Sequence, residues 1–291
     1  MTDILSGGGG PPVAGVIGWP IGHSLSPVVH ATWLARHGLA GHYVPLAVQP
    51  DRLEAAVRGL AALGFRGVNV TVPHKTAMLD VVDAVAPEAR RIGAVNTVVV
   101  GDDGALTGRN TDVVGFWRHL CDSVAEAAAL AARPALVLGA GGAARAVVAG
   151  LLGQGFADVR LANRTRPRAD ALVADLADAR LTAIDWQDRD AALDDSGLLV
   201  NTTTLGMRGQ PPLALDVARL PGDAVVYDIV YTPLETPLLA AARARSLATV
   251  DGLGMLLHQA VPAFEAFFGV RPEVDEALRQ AVLERLGEPP S

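Results

Sequence analysis

The chain has 291 residues, a formal net charge of −7 and a hydrophobic share of 50%. That length suggests two domains with ample core material, and with aromatics at only 4% the packing falls to Ala, Val and Leu. The acidic balance argues against a nucleic-acid-binding surface, the single cysteine excludes a disulfide within the chain, and there is no zinc spacing and no HExxH.

Residues 1–12 are rich in Gly and Pro and lack a basic n-region and an apolar h-region, so they read as a disordered leader, not a signal peptide. Val13–Ile17 reads as a strand. Pro27–His37 reads as a helix with Ser26 as its N-cap and Pro27 at the first helical position. Tyr43–Val48 is a predicted strand, Asp51–Leu63 a helix ended by Gly64, Gly67–Val72 a strand running into Pro73, Lys75–Asp83 a helix and Val95–Val100 a strand. A boundary is expected near Gly108–Asp112. Cys121 falls in a predicted helix over Val113–Val124 and reads as a small packed hydrophobe. Strands are then predicted at Ala135–Leu138, Asp158–Ala162, Arg180–Ile184, Leu198–Asn201, Ala224–Asp228 and Ala248–Val250. Helices are predicted at Gly142–Gly153, Arg168–Leu176 and Thr236–Arg245. Met255–Phe268 and Glu273–Leu286 close the chain as helices, with Pro262 predicting a kink or break in the first. This alternation indicates an α/β layer structure. No apolar run reaches spanning length without Gly, Pro or charge. The expectation is a soluble cytoplasmic protein with a small-molecule substrate, without nucleic-acid or membrane partners, acting as a monomer or homodimer.

Of 24 basic residues, all but one are arginine, and the exception is Lys75 in Asn69-Val-Thr71-Val-Pro73-His74-Lys75. Arginine is always charged, whereas lysine can surrender and regain a proton when its surroundings lower its pKa. A chain that uses arginine wherever a cation suffices marks this lysine as a candidate general acid/base. It follows a predicted strand, at the carboxyl end where open α/β sheets present their ligands. Asp112, in Asn110-Thr111-Asp112, could orient the ammonium or could simply cap the helix that follows. Ser24 and Ser26, at a helix start, form with free N–H groups a neutral carboxylate receptor. His23 and His74 are further acid/base candidates by residue type, though neighbouring residues explain the chemistry better.

Gly139-Ala140-Gly141-Gly142-Ala143-Ala144 follows a predicted strand and opens a helix, the GxGxxA form of a dinucleotide fingerprint. The first Gly makes the tight turn, the second lets backbone approach a pyrophosphate, and the small third residue lets helix and strand pack. Where an NAD site carries a carboxylate after the next strand, this chain has Asn163-Arg164-Thr165-Arg166, with Arg168 beyond. That favours NADP.

Taken in order, these segments closely resemble shikimate dehydrogenases from about Val13 to Phe268. The match includes Gly22-His23-Ser24-Leu25-Ser26-Pro27, Gly93-Ala-Val-Asn96-Thr97, Asn201-Thr-Thr-Thr-Leu-Gly206-Met207, Tyr227-Asp228-Ile-Val-Tyr231-Thr-Pro233 and Gly252-Leu-Gly254-Met255-Leu-Leu-His258-Gln259. The resemblance implies reversible NADPH-dependent reduction of 3-dehydroshikimate to shikimate, with Lys75 and Asp112 as the catalytic pair. It implies that Ser24 and Ser26 hold the substrate carboxylate, and that Thr71, Asn96, Asp112 and Gln259 hold ring hydroxyls with Tyr231 nearby. It assigns the cofactor to the loop from Gly139, to Asn163, Arg164 and Thr165 at the 2′-phosphate, and to Thr202, Met207 and Gly252. No metal is implied. The family fold implies a substrate-binding catalytic domain over 13–110, an NADP-binding Rossmann domain over 111–250 and helices over 251–291 returning to the first domain. Quinate-specific members often carry Thr at the second hydroxyl position and an acidic residue after the cofactor strand; Ser26 and Asn163-Arg164 favour shikimate and NADP.

Overall fold

A computed structural model describes residues 10–287, so most of the expected leader and the tail from Glu288 lie outside the described residues. The chain forms two compact units: residues up to Thr111 together with those from Gln259 on, and Asp112–His258.

The first unit contains β1 (Val13–Gly18), α1 (Ser26–Arg36), β2 (His42–Ala47), α2 (Leu53–Arg58), β3 (Phe65–Val70), β4 (Ala84–Val85), α3 (Pro87–Ile92), β5 (Thr97–Val100) and β6 (Leu106–Arg109). Its six-stranded sheet runs β2-β1-β3-β5-β6-β4. β1 lies parallel to β2 and β3, whereas β5 is antiparallel to β3 and β6. The chain leaves β1 towards β2 and returns on its other side as β3, so the carboxyl ends of β1 and β3 flank a switch point, where open α/β sheets leave a crevice. One face of the sheet packs Ile17, Val57, Val68, Val70 and Met78. The other carries Ala14, Val16 and Tyr43 against Ala263 and Phe267.

The second unit contains α4 (Asp112–Ser123), β7 (Ala135–Leu138), α5 (Gly142–Gly153), β8 (Val159–Ala162), α6 (Arg166–Leu176), β9 (Leu181–Ile184), β10 (Leu198–Asn201), β11 (Val225–Asp228), α7 (Pro237–Ala244) and β12 (Ala248–Val250). Its sheet runs β12-β11-β10-β7-β8-β9 with every pairing parallel. This is the doubly wound order of a Rossmann fold, and its switch point lies between β7 and β10. These strands are almost continuously apolar, as strands covered on both faces must be. α8 (Leu253–Phe268) starts in this unit and ends in the first, and α9 (Glu276–Leu286) follows. Met255 joins the core of Phe116, Leu120 and Tyr227. The return to the first unit therefore begins at Gln259, within α8, rather than at 251.

Several local expectations are corrected. The helix expected over Asp51–Leu63 is a 3₁₀ turn at Pro50–Arg52 followed by α2, which stops at Gly59, a residue with poor helix propensity. The helix expected over Lys75–Asp83 shrinks to a 3₁₀ turn at Ala77–Asp80. Asp83 is drawn away from it, donating its N–H to the Leu106 carbonyl and accepting the Leu106 N–H at 2.8 Å. Pro262 does not break α8; Val261, Ala263, Phe264 and Phe267 are buried around it, and that packing offsets one missing backbone bond. Cys121 is exposed, because α4 buries Gly115, Phe116, His119 and Leu120 and the next residue turns about 100° off that stripe. The closing helix begins at Glu276 rather than Glu273, capped by Asp275, which accepts the Leu278 N–H at 2.7 Å. β4, α3 and β6 have no counterpart among the predicted elements.

His30, on α1, is fully buried, and neither ring nitrogen has a hydrogen-bond partner. It lies flat on Tyr43, with ring centroids 3.7 Å apart, amid Trp33, Phe264 and Phe267. Burial pushes its pKa from 6.5 down to about 3. In the unfolded chain the same ring takes up a proton near its ordinary value. Between those two values the unfolded state holds the extra proton, so this group lowers stability as pH falls through that window. His30→Phe is therefore expected to gain on the parent protein on acidification. Urea unfolding at pH 7 and pH 5 should show the stability difference shifting by about 2 kcal/mol in favour of the variant. A difference that does not change with pH would contradict a buried neutral imidazole.

Candidate functional site

The loops leaving β1 and β3 are tied together at the switch point of the first sheet. Thr71 donates its N–H to the Ile17 carbonyl at 2.9 Å, and Trp19 donates to the Val72 carbonyl at 3.1 Å. The first loop carries Ser24 and Ser26; the second carries Thr71 and Lys75. Trp19-Pro20 and Val72-Pro73 are both cis. Thr71 and Lys75 are half-buried, and the Lys75 carbonyl accepts the Val95 N–H at 2.8 Å. His74 is buried with Nε2 on the Val48 carbonyl at 2.8 Å, a packing role that accounts for it; His23 is exposed.

The two serines exchange their expected local roles. Ser26 is the first residue of α1, not its cap; Leu25 holds the cap position without a side-chain bond. Ser24 supplies the local polar contact, its Oγ accepting the Ser26 N–H at 3.3 Å. Ser26 is buried.

From Tyr43 a chain of buried polar groups crosses the unit. The Tyr43 hydroxyl donates to Asn69 Oδ1 at 2.7 Å. Asn69 Nδ2 donates to Thr97 Oγ1 at 3.0 Å and towards the Asn96 carbonyl at 3.4 Å. Thr97 Oγ1 donates to Asn96 Oδ1 at 3.1 Å, and that oxygen also takes the Thr111 N–H at 2.8 Å. Asn96 Nδ2 donates to Thr111 Oγ1 at 2.9 Å and to Gln259 Oε1 at 3.4 Å. Tyr43, Asn96 and Gln259 are thus joined within one unit. Asp112 follows Thr111 directly as the first residue of α4 and is 4% exposed.

In the second unit, Gly139 directly follows β7 with φ +109°, a conformation that suits glycine. Its N–H donates to the Ala162 carbonyl at 2.8 Å, and Thr202 donates to the Leu138 carbonyl through both N–H and Oγ1. The loops after β7, β8 and β10 thereby meet at the switch point. Gly141 precedes α5 with extended backbone, and a Cβ built there has no heavy atom within 4 Å. That vacant space beside a helix N-terminus fits an anionic group, while Ala144 is fully buried under the helix. Ala140 precedes Gly141 in this loop, and Gly142 and Ala143 open α5. Asn163 Nδ2 donates to the Thr165 carbonyl at 2.8 Å and shapes the turn after β8. Arg166 is engaged by Asp170 and Asp185 at 2.8 and 2.7 Å, whereas Arg164 and Arg168 are exposed cations at the start of α6. These residues suit a phosphorylated ribose better than a bare one. Met207 and Tyr231 are half-buried, and burial raises the Tyr231 phenol pKa. Gly252 lies against backbone, where a Cβ would sit 2.1 Å from the Ile229 carbonyl oxygen.

Three segments of this unit converge on Asp228, at the end of β11 and wholly buried. Its carboxylate accepts from Asn201 Nδ2 at 2.9 Å, Thr236 Oγ1 at 2.7 Å and the Val230 N–H at 3.1 Å. Burial nevertheless raises its pKa to about 6, outweighing those bonds. Asn201 Oδ1 in turn takes the Thr203 N–H and hydroxyl, so the loop after β10 rests on this one carboxylate.

Family models match almost in tandem: a shikimate dehydrogenase substrate binding domain over residues 16–98, a shikimate / quinate 5-dehydrogenase over 122–206 and a shikimate 5'-dehydrogenase C-terminal domain over 252–283. The chain belongs to the shikimate dehydrogenase family. A shikimate dehydrogenase (NADP(+)) of Methylobacterium radiotolerans is 58% identical over 94% of this chain and 98% of its own. Among solved structures, the Thermus thermophilus shikimate 5-dehydrogenase in complex with NADP(H) and shikimate matches with TM-score 0.83 and 37% identity, over 94% of this chain and 99% of its own. A quinate dehydrogenase from Corynebacterium glutamicum in complex with NAD matches with TM-score 0.86 and 34% identity, over 95% and 100%.

Relative to this family pattern, sequence reasoning missed Tyr43, Asn69, Thr97, Thr111 and Asp228 as organising residues. Asn69, Thr97, Thr111 and Asp228 stood inside recognisable motifs without an assigned task. The available signal for Tyr43 was scarcity, since the chain has only three tyrosines.

The glycine loop generates a contrast between neighbours. Gly141→Val fills open space on extended backbone and should leave stability within the about 0.5 kcal/mol usual for exposed sites. It should weaken NADPH binding, followed by fluorescence titration, by more than about tenfold. Gly139→Ala forces a side chain into a left-handed residue 2.6 Å from Thr202 Oγ1 and should instead lower the melting temperature, costing about 1–3 kcal/mol. Equal loss of stability in both variants would contradict this division.

Proposed function

We propose that this chain is an NADP-dependent shikimate dehydrogenase, reversibly reducing the ketone of 3-dehydroshikimate to the alcohol of shikimate. The supporting observation is the gathering of Ser24, Ser26, Thr71 and Lys75 at one switch point in a family member whose second unit carries a separate dinucleotide loop. Ser24 and Ser26 are assigned to the carboxylate, Thr71, Asn96, Asp112 and Gln259 to the ring hydroxyls, and Tyr231 to the same substrate. Gly139–Ala143, Asn163, Arg164, Thr165, Thr202, Met207 and Gly252 are assigned to the cofactor. When bound, NADPH supplies the hydride.

Lys75 stabilises the negative charge that grows on the ketone oxygen and then donates its proton there. In the opposite direction the neutral amine accepts the hydroxyl proton. Asp112 is assigned as its carboxylate partner. The hydroxyl and amide groups orient the ring by bonds that a substrate lacking those hydroxyls would leave unmade, which is how buried polar sites discriminate. Cytoplasmic location and a monomeric or homodimeric state complete the proposal; among the described residues no helix is long and apolar enough to cross a membrane.

A spectrophotometric assay with shikimate or quinate and either oxidised cofactor tests the assignment. Turnover with shikimate and NADP is expected, and preference for quinate with NAD would replace it by a quinate dehydrogenase. Lys75→Ala should lower kcat by about 10²–10⁴-fold with little change in KM for shikimate; loss confined to KM would make Lys75 a binding group. Arg164→Ala should raise KM for NADPH about ten- to a hundredfold while leaving KM for NADH unmoved. Equal effects on the two cofactors would remove Arg164 from the 2′-phosphate.

A further inference from the structure

Asn201 ends β10, a strand otherwise made of Leu198, Leu199 and Val200, and it is wholly buried. An amide survives in such a place only when its polar atoms are met. Asn201 can give two hydrogen bonds and take two, and all four are made. Oδ1 takes the Thr203 N–H at 3.0 Å and the Thr203 hydroxyl at 2.8 Å. Nδ2 donates to the Leu205 carbonyl at 3.2 Å and to Asp228 Oδ1 at 2.9 Å. The backbone fixes this direction, since the Thr203 N–H can only donate and the Leu205 carbonyl can only accept. Thr203 Oγ1 also accepts the Leu205 N–H at 3.1 Å. The chain leaving β10 is therefore wound about one side chain, which is anchored to a carboxylate on the neighbouring strand.

The residue enclosed by this winding is Thr202. Its N–H and its Oγ1 both donate to the Leu138 carbonyl, at 2.8 and 2.6 Å, where β7 gives way to the glycine loop. Its hydroxyl is also the atom that a Cβ on Gly139 would meet first, at 2.6 Å. The place of Thr202 thus sets how the loop after β10 meets the glycine loop.

We propose that Asn201 is a positioning residue for the dinucleotide: held by Asp228, it fixes the Thr202–Met207 loop against the glycine loop, so that the two loops present one preformed surface to the cofactor. The inference rests on the assignment of these loops to NADP. Asn201 is given no contact with the cofactor, and its influence passes through Thr202 and the residues after it.

The other branch from Asp228 supplies a control. Thr236 is also wholly buried. Its Oγ1 donates to Asp228 Oδ2 at 2.7 Å and accepts the Leu239 N–H at 3.3 Å, so its bonds lead into α7 and away from the loop. The Val230 N–H holds Asp228 Oδ1 at 3.1 Å, which keeps the acceptor of Asn201 in place when the Thr236 hydroxyl is lost.

The test is fluorescence titration of NADPH into full-length variants, with melting temperatures measured alongside. Asn201→Ala and Thr236→Val should both lower the melting temperature by several degrees, since each strands a buried polar partner. Only Asn201→Ala should weaken NADPH binding, by about three- to tenfold, the loss expected for one hydrogen bond. KM for shikimate should stay within about twofold. Equal NADPH affinities in the two variants, whether changed or unchanged, overturn the proposal. If Asn201→Ala does not fold, Asn201→Asp keeps an oxygen for Thr203 but turns the other onto the Leu205 carbonyl and Asp228. The same selective loss is expected there, and parental NADPH affinity overturns the proposal. Wild-type protein that binds NADPH without oxidising shikimate removes the substrate assignment alone; wild-type protein that does not bind NADPH removes the cofactor assignment and this inference with it.

Discussion

The Thr111 backbone amide donates to Asn96 Oδ1, and this one bond gives the substrate-side unit its polarity. Side-chain amides can ordinarily turn either way. Here a backbone donor and a backbone acceptor, the Thr111 N–H and the Asn96 carbonyl, pin both asparagines. Reversing Asn96 would set donor against donor, and reversing Asn69 would set acceptor against acceptor, in a buried place where each unmet group costs about 1–3 kcal/mol. The row of polar side chains from Tyr43 to Gln259 is therefore rigid without any charge in it. Neutral rigidity suits the recognition of hydroxyl groups, since hydroxyls need acceptors and donors in fixed places more than they need a field.

The second unit solves a related problem with a charge. Asp228 is wholly buried, and its three hydrogen bonds do not fully offset the loss of water, since its pKa rises to about 6. At neutral pH it remains largely an acceptor, and each of its donors belongs to a different stretch of chain: the end of β10, the turn after β11 and the cap of α7. A buried group of this kind adds little net stability. What it supplies is connection, because the Thr202–Met207 loop and the segment bearing Tyr231 cannot shift separately without stranding a donor or the carboxylate.

Legibility in the sequence followed the physics of each element. β7, α5, β10 and β12 match their predicted bounds because an all-parallel sheet writes itself as short apolar runs separated by Gly, Asn and Asp. The far edge of the first sheet was poorly legible, since β4 has two residues and β6 reads Leu-Thr-Gly-Arg, with no period to detect. Individual motifs showed which residue types would gather; they could not show which way a bond would run. Ser24 and Ser26 illustrate the gap. Cap chemistry alone favours Ser26 at the helix start, yet the helix begins one residue earlier and Ser24 takes the backbone contact, while Ser26 is buried.

The arginine bias is explained by the same contrast between surface and interior. Arg160 forks between Asp158 and Asp195, Arg166 between Asp170 and Asp185, and Arg180 clasps Asp178 with two nitrogens. These pairs are partly or largely exposed and each contributes little, but a planar guanidinium offers a fixed fork for two acceptors, which a compact ammonium does not. Such surfaces favour arginine everywhere, and they give no reason to retain a lysine. Lys75 is half-buried in the loop that follows β3. A guanidinium would stay protonated there under every condition the protein meets. The acid/base role proposed for Lys75 needs a side chain that can give up and regain a proton, which a guanidinium cannot do.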